Sequence, residues 1–232
     1  MKPTLLALAL AATLSATGAQ ASAPVTNLID AEYGTGTGSF ENGTFEPRGA
    51  GSQNFQSLSG GATTIHGWTV GGVGVDWLST TNYGASDGVH AVDLGWYVGG
   101  AGSVSINLTT VQGATYALSF SAAAVSGNPT YTNTGTVSAG SLTANFAPAF
   151  SAENAFSSQV FYTQSYEFIA NSSNTVLTIA AATPGTSYGP VIDDVRVSFV
   201  SAPVPEPETY ALMLAGLGLV GFAARRRAIS AV

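Results

Sequence analysis

Apolar residues recur at every second position through most of the middle of the chain. Val73, Val75 and Trp77 alternate with smaller or polar neighbours, as do Val104, Ile106 and Leu108. Tyr116, Leu118, Phe120 and Ala122 keep this phase after Gln112-Gly113, and Leu142, Ala144 and Phe146 follow Ala139-Gly140. Tyr166 and Phe168 precede the polar turn Asn171-Ser172-Ser173-Asn174. Leu177 and Ile179 lead to Pro184-Gly185, and Val191, Val195, Val197 and Phe199 close the series. Period two with one apolar face marks half-buried antiparallel strands. No segment of this body carries a helical stripe. The pattern predicts about nine strands in an all-β, antiparallel sandwich of jelly-roll type.

The two ends break the pattern. Met1-Lys2, the apolar run Leu5–Leu14 and Ala19-Gln20-Ala21 form a secretory signal peptide over residues 1–21, cut after Ala21. The β-sandwich domain is placed at 22–200. Residues 201–208 contain Pro203, Pro205 and Pro207 and read as an extended linker. Residues 209–227 hold a sixteen-residue apolar run, Thr209–Ala224, and then Arg225, Arg226 and Arg227. As a helix the run is about 24 Å long, slightly short of a ~30 Å hydrocarbon core. The expectation is a short transmembrane helix with the arginines held in the cytoplasm. Gly216, Gly218 and Gly221 spell G-x-G-x-x-G. They lie inside the apolar run with no strand before them, so they form a small-residue helix face and no dinucleotide site.

Pro205-Glu206-Pro207, the apolar helix and the arginine cluster come in an order that resembles the PEP-CTERM sorting signal of Gram-negative bacteria. The resemblance implies export to the cell envelope, surface or matrix and processing by an exosortase. It also implies a setting of exopolysaccharide and biofilm.

Charge sharpens the picture. Lys2 is the sole lysine, and from Ser22 to Pro203 only Arg48 and Arg196 stand against eleven acidic residues, a net of −9. Nucleic-acid binding needs cations to neutralise phosphates, so it is excluded. An acidic, lysine-free surface suits neutral glycans, cations or a crowded matrix. There are no cysteines, which removes disulfides, thiolate metal sites and thiol catalysis.

A second resemblance runs from Asn42 to Val197. Its pieces are Asn42-Gly43-Thr44-Phe45-Glu46, Ile65-His66-Gly67-Trp68, Asp87-Gly88-Val89-His90-Ala91-Val92-Asp93-Leu94, Gly113–Phe120 and Gly189–Val195. In this order they resemble the choice-of-anchor C domain, related to plant cell-wall domains with the galactose-binding-like sandwich. Asp194 departs from the usual Asn. Many galactose-binding-like carbohydrate modules hold one structural calcium with a Glu after the first motif and an Asp in the last strand. The resemblance therefore implies Glu46 with Asp193 or Asp194 as calcium ligands. Calcium favours such hard oxygen donors. Asp193 shares a phase with Val191, Val195 and Val197 and is expected to point inward. Hydrogen bonds from loop amides would satisfy it equally well.

Trp96, Tyr97 and Tyr83 are the candidate sugar platforms, with Asp87 as a hydroxyl partner. Trp96 and Tyr97 lie between Gly95 and Gly99-Gly100, in an apparent loop, whereas Trp68 and Trp77 read as core. Gly84-Ala85-Ser86-Asp87-Gly88 has the letters of a nucleophile elbow without the strand before and helix after that the elbow needs. His66 and His90 lack zinc spacing. Asp87 and Asp93 make a carboxylate pair with no further mark of glycosidase chemistry. The expectation is a non-catalytic surface or matrix protein that binds exopolysaccharide or another cell-wall glycan. The alternative is a structural, adhesive matrix component without a small-molecule site.

Overall fold

The computed structural model describes residues 26–47, 54–124, 133–149, 157–182, 188–203 and 207–229. The signal peptide, Arg48, Pro205 and Glu206 lie outside these residues, as do the side chains of Pro207 and Arg227.

A six-residue helix, α1 (Leu28–Tyr33), comes first, N-capped by the Asn27 side chain. Six residues are too few for a readable stripe, so periodicity missed it. Eleven strands follow among the described residues: β1 (Phe55–Ser59), β2 (Thr69–Gly72), β3 (Gly74–Ser79), β4 (His90–Asp93), β5 (Gly102–Thr109), β6 (Thr115–Ala124), β7 (Gly135–Ala139), β8 (Leu142–Phe146), β9 (Tyr162–Ile169), β10 (Asn174–Ala181) and β11 (Pro190–Ser201). α2 (Pro207–Ile229) ends the described chain.

The expected count fell short in one instructive place. Val73 is an exposed turn and not a strand residue. Gly72 and Gly74 flank it at φ +64 and +145, a left-handed backbone that glycine alone adopts freely. A Cβ on Gly72 would also stand 2.3 Å from the Ala101 carbonyl oxygen. The chain therefore leaves one sheet at β2 and enters the other at β3.

The antiparallel β-sandwich is as expected. One sheet has the order β1-β3-β4-β11-β6-β9, the other β2-β5-β10-β7-β8. Their facing sides bury Val75, Trp77, Val92, Leu118, Phe120, Ile192, Val104, Ile106, Ile179 and others in one core. The segment around α1 closes one end. Phe40 is fully buried and packs against Trp68 at 5.0 Å between ring centroids. The indole N–H of Trp68 donates to the Thr37 carbonyl at 2.8 Å, and that of Trp77 to the Phe40 carbonyl at 3.1 Å. Both tryptophans are core residues, as their alternation and motif predicted.

The six-stranded sheet is covered on its outer face too, over one half. Phe55, Leu78, Ala91, Ala123 and Val191 form a second apolar cluster there, under Tyr83, Ala85, Phe161 and Tyr188. The other half of that face is open.

Candidate functional site

β11 does not alternate strictly. A β-bulge falls between Asp193 and Arg196, with Asp194 at φ +50. A bulge adds one residue and resets which side chains face which side. Val191 accordingly joins the outer cluster, while Val195 and Val197 join the main core. The expectation that Asp193 shares a face with Val195 and Val197 fails for this reason. Asp193 is fully buried, but on the outer face, beneath the loop at Ser86 and Asp87.

That loop is an amide cradle. Asp193 Oδ2 accepts the backbone N–H groups of Ser86 at 2.6 Å and Asp87 at 2.8 Å, and Oδ1 accepts that of Asp194 at 2.6 Å. Burial pushes the carboxyl up to about 7, against the pull of these three donors. Ser86, the would-be nucleophile, donates its hydroxyl to Ser121 at 2.8 Å. Residues 84–88 form a loop with no helix after it, so no nucleophile elbow exists.

The expected calcium ligands do not converge. The Glu46 side chain is exposed, and its backbone N–H donates to Gln56. Asp194 accepts from Arg196 Nε at 2.6 Å. Among the described residues no three acidic or histidine side chains form a metal-holding group. Calcium takes six to eight oxygen ligands, and N–H donors occupy those directions around Asp193. This donor set does not fit the ion.

Beyond the bulge, Arg196 reaches the open half of the face. A groove of about 710 Å³ lies there across β11, β6 and β9. Its floor follows the strand register. Arg196 stands opposite Ser119 and Ser119 opposite Ser165; Ser198 stands opposite Ala117 and Ala117 opposite Glu167. The small side chains keep the floor low and offer hydroxyls. Arg196 and Glu167 supply charge, and Asn27, Leu118, Tyr166 and Val197 complete the lining. Asn27 fills the gap in the ladder at the bulge. Its Nδ2 donates to the Val195 carbonyl at 3.2 Å, and its Oδ1 accepts from Val197 N at 3.1 Å.

The covered half gathers three of the four expected sugar-contact residues. Ring centroids run from Trp96 to Tyr97 at 6.2 Å, Tyr97 to Phe55 at 6.2 Å and Phe55 to Tyr83 at 6.3 Å. Tyr97 is 38% exposed. Trp96 is half-buried, and its indole nitrogen is buried without a hydrogen-bond partner. Asp87 lies apart from this row, accepting from Ser39 Oγ at 2.7 Å and standing 3.9 Å from Arg196 Nη2.

Two carboxylates lie under the same cover. Asp76 and Asp93 are register partners on β3 and β4, and both are buried. Asp93 Oδ1 accepts the N–H groups of Gly95 at 2.7 Å and Gly189 at 2.8 Å. Burial holds the Asp93 carboxyl well above the usual range, and the charge of Asp76 adds to the shift. Tyr83 is pushed up to about 12 by burial, then by Asp76, Asp93 and Tyr188. His90 lies elsewhere, 3.1 Å from a Glu41 carboxylate oxygen.

Sequence reading missed the groove residues Ser119, Ser165, Glu167 and Arg196. Two signals could have found them. Arg196 is one of two cations in the body, and Ser119 and Ser165 occupy the polar phase of otherwise apolar strands.

Residues 38–198 match the family model described as "Protein of unknown function (DUF642)". The chain belongs to the DUF642 family. The motifs from Asn42 to Val197 that resemble the choice-of-anchor C domain fall inside this match. Residues 203–227 of this DUF642 protein match the PEP-CTERM protein-sorting motif, which marks it as exported and surface-associated. No curated protein matches the chain. Solved structures similar in fold include TmCBM61 in complex with β-1,4-galactotriose, at 14% identity and TM-score 0.40, covering 57% of this chain and 88% of that one. A family 35 carbohydrate-binding module from Clostridium thermocellum aligns at 15% identity and TM-score 0.40, covering 61% and 97%. The CBM22-1 xylan-binding domain from Paenibacillus barcinonensis aligns at 16% and 0.39, covering 64% and 94%.

The sorting motif covers α2 up to Arg227, and the helix's described side chains are exposed. No described helix is long and apolar enough to cross a membrane. The apolar run is sixteen residues, between Glu208 and Arg225.

Proposed function

We propose that this DUF642 protein is a non-catalytic surface protein that binds polysaccharide in the groove across β11, β6 and β9. One observation carries the reading. The groove is open, about 710 Å³, and has a floor of small and hydroxyl-bearing side chains on paired strands. A polyhydroxyl chain needs such shallow relief with donors and acceptors in fixed rows. The exposed ring of Tyr97, in the turn after β4, offers a stacking face near the covered half. The setting is the envelope or extracellular matrix of a Gram-negative cell. There an exosortase would cut near Pro205-Glu206-Pro207, after α2 and the arginines had held the chain at the membrane.

Calorimetric titration of the exported protein against a panel of glycans tests the reading. Binding is expected to at least one chain and to vanish in Ser119→Trp, which fills the groove, with the melting temperature unchanged. No binding across the panel at millimolar protein overturns it. The second reading is a matrix protein that adheres through protein contacts. The exposed apolar residues Ile169, Phe199 and Val200 favour it. Self-association unaffected by sugars would select it.

A further inference from the structure

Arg196 is the one described cation in the groove lining, so its partners decide what the groove accepts. Its Nε donates to Asp194 at 2.6 Å, and its Nη2 stands 3.9 Å from Asp87. Asp30 also lies within electrostatic reach, and the carboxylates together hold the guanidinium above its usual range, the Asp194 hydrogen bond first. Glu167 lines the groove as well. Three carboxylates thus act on one guanidinium, and a fourth stands across the groove. The local field is negative, although a cation lies at the surface. An arginine that reads anions offers its charge and its fork to them. Here a carboxylate already holds one edge and the charge is more than cancelled. What remains is a planar donor group fixed in direction. Its Nη1 nitrogen has no partner among the described residues.

The opposite wall supplies the acceptor. Glu167 is exposed on β9, in the row Ser198, Ala117, Glu167, beside the row Arg196, Ser119, Ser165. Two strand spacings separate the outer strands, about 9–10 Å. That width admits one sugar ring lying over the serine floor, with a donor on one side and an acceptor on the other.

Resting on the polysaccharide reading above, we propose that the groove selects neutral glycan chains and rejects polyuronates, with Arg196 and Glu167 as the specificity-determining pair. Arg196 acts as a hydrogen-bond donor to hydroxyl or ring oxygens, Glu167 as an acceptor from hydroxyls, and the ring of carboxylates repels sugar acids.

Titrations of the exported protein with a β-glucan, a xylan and a galactan, against polygalacturonate and alginate, test this. They are run at low and at moderately high sodium chloride. At least one neutral chain should bind with affinity nearly independent of salt, because no net charge is neutralised. Polyuronates should not bind at low salt. Arg196→Ala should weaken neutral binding by about tenfold, the size of one lost charge-assisted bond. Arg196→Lys should not restore it, since a point charge lacks the fork. Glu167→Gln should weaken neutral binding several-fold, because a neutral amide oxygen is a poorer acceptor than a carboxylate, and should admit some polyuronate. Polyuronate binding that exceeds neutral binding and falls with salt overturns the selectivity, but leaves glycan binding standing. Absence of binding to every chain overturns the glycan reading itself.

Discussion

Asp76 and Asp93 face each other across β3 and β4, both buried on the outer side of the six-stranded sheet. Directly opposed antiparallel residues have Cβ atoms about 4.5–5.5 Å apart. Two carboxylates at that spacing resist shared ionisation, and burial raises the cost further. Asp93 is the one held well above its ordinary range. A group whose folded pKa is raised lends stability that is full below its unfolded value, near 4, and is lost as pH rises through the folded value. Thermal stability should therefore fall from acidic toward alkaline pH. Asp93→Asn keeps an oxygen for Gly95 and Gly189 and turns its amide toward Asp76. It should raise the melting temperature at pH 8 by several degrees and flatten the slope. A scan of melting temperature against pH for both proteins checks this; an unchanged slope in the variant would count against the pair.

Asp193 accepts three amide donors, and the two from Ser86 and Asp87 organise that loop. Asp193→Ala leaves those donors with no acceptor at a buried site, a cost of roughly 3 kcal/mol. The loss should be local first. Limited proteolysis is expected to cut within residues 84–88 well before the rest of the domain. Because amides fill the surroundings of Asp193, adding calcium or a chelator should move the melting temperature by less than about one degree. A large calcium-dependent rise would show that Glu46, Asp193 and Asp194 assemble in solution after all.

Asn27 ties α1 to β11 across 168 positions. One side chain caps α1, accepts from Val197 N and donates to the Val195 carbonyl. It supplies the ladder bonds that the bulge removes. Asn27→Ala should cost about 2–3 kcal/mol, since a cap is worth ~1 kcal/mol and two further backbone groups lose partners. Urea unfolding reads that cost. The groove lies over the same backbone step, so glycan affinity should fall in the variant as well.

The main core was legible because its strands keep period two without interruption. Tyr116, Leu118 and Phe120 are buried as their phase implied, and Trp77 is fully buried. The site was less legible, because its makers are breaks in that period. The extra residue at Asp194 turns Asp193 to the outer face and brings Arg196 onto the groove, and nothing in a single strand's pattern marks a bulge. Asp76 was read past for another reason. Alternation places it on the polar side of β3, and only the chain packed over that side buries it. Trp96, Tyr97 and Tyr83 were found by residue type, yet their meeting through Phe55 depends on loops whose path no periodicity encodes.

Gly95 and Gly189 offer the sharpest steric test of the carboxylate shelf. Each would place a Cβ 2.3 Å from the other's backbone nitrogen. Their closeness lets both N–H groups reach one oxygen of Asp93. Neither glycine has a left-handed backbone, so the requirement is room and not φ. Gly189→Ala must push β11's entry away from the loop after β4. That separates Leu94 N from the Pro190 carbonyl, now 3.1 Å apart, and takes one donor from Asp93. The expected cost is on the order of 3 kcal/mol, from overpacking and a lost buried bond. With that donor withdrawn, the Asp93 carboxyl should rise further, and the decline in stability with pH should steepen. Gly113→Ala, near Pro203 at the far end, makes a control: its φ of +78 carries strain but no link to Asp93. It should lower the melting temperature without changing the pH slope. Equal slopes in the two variants would mean that Gly189 acts through packing alone.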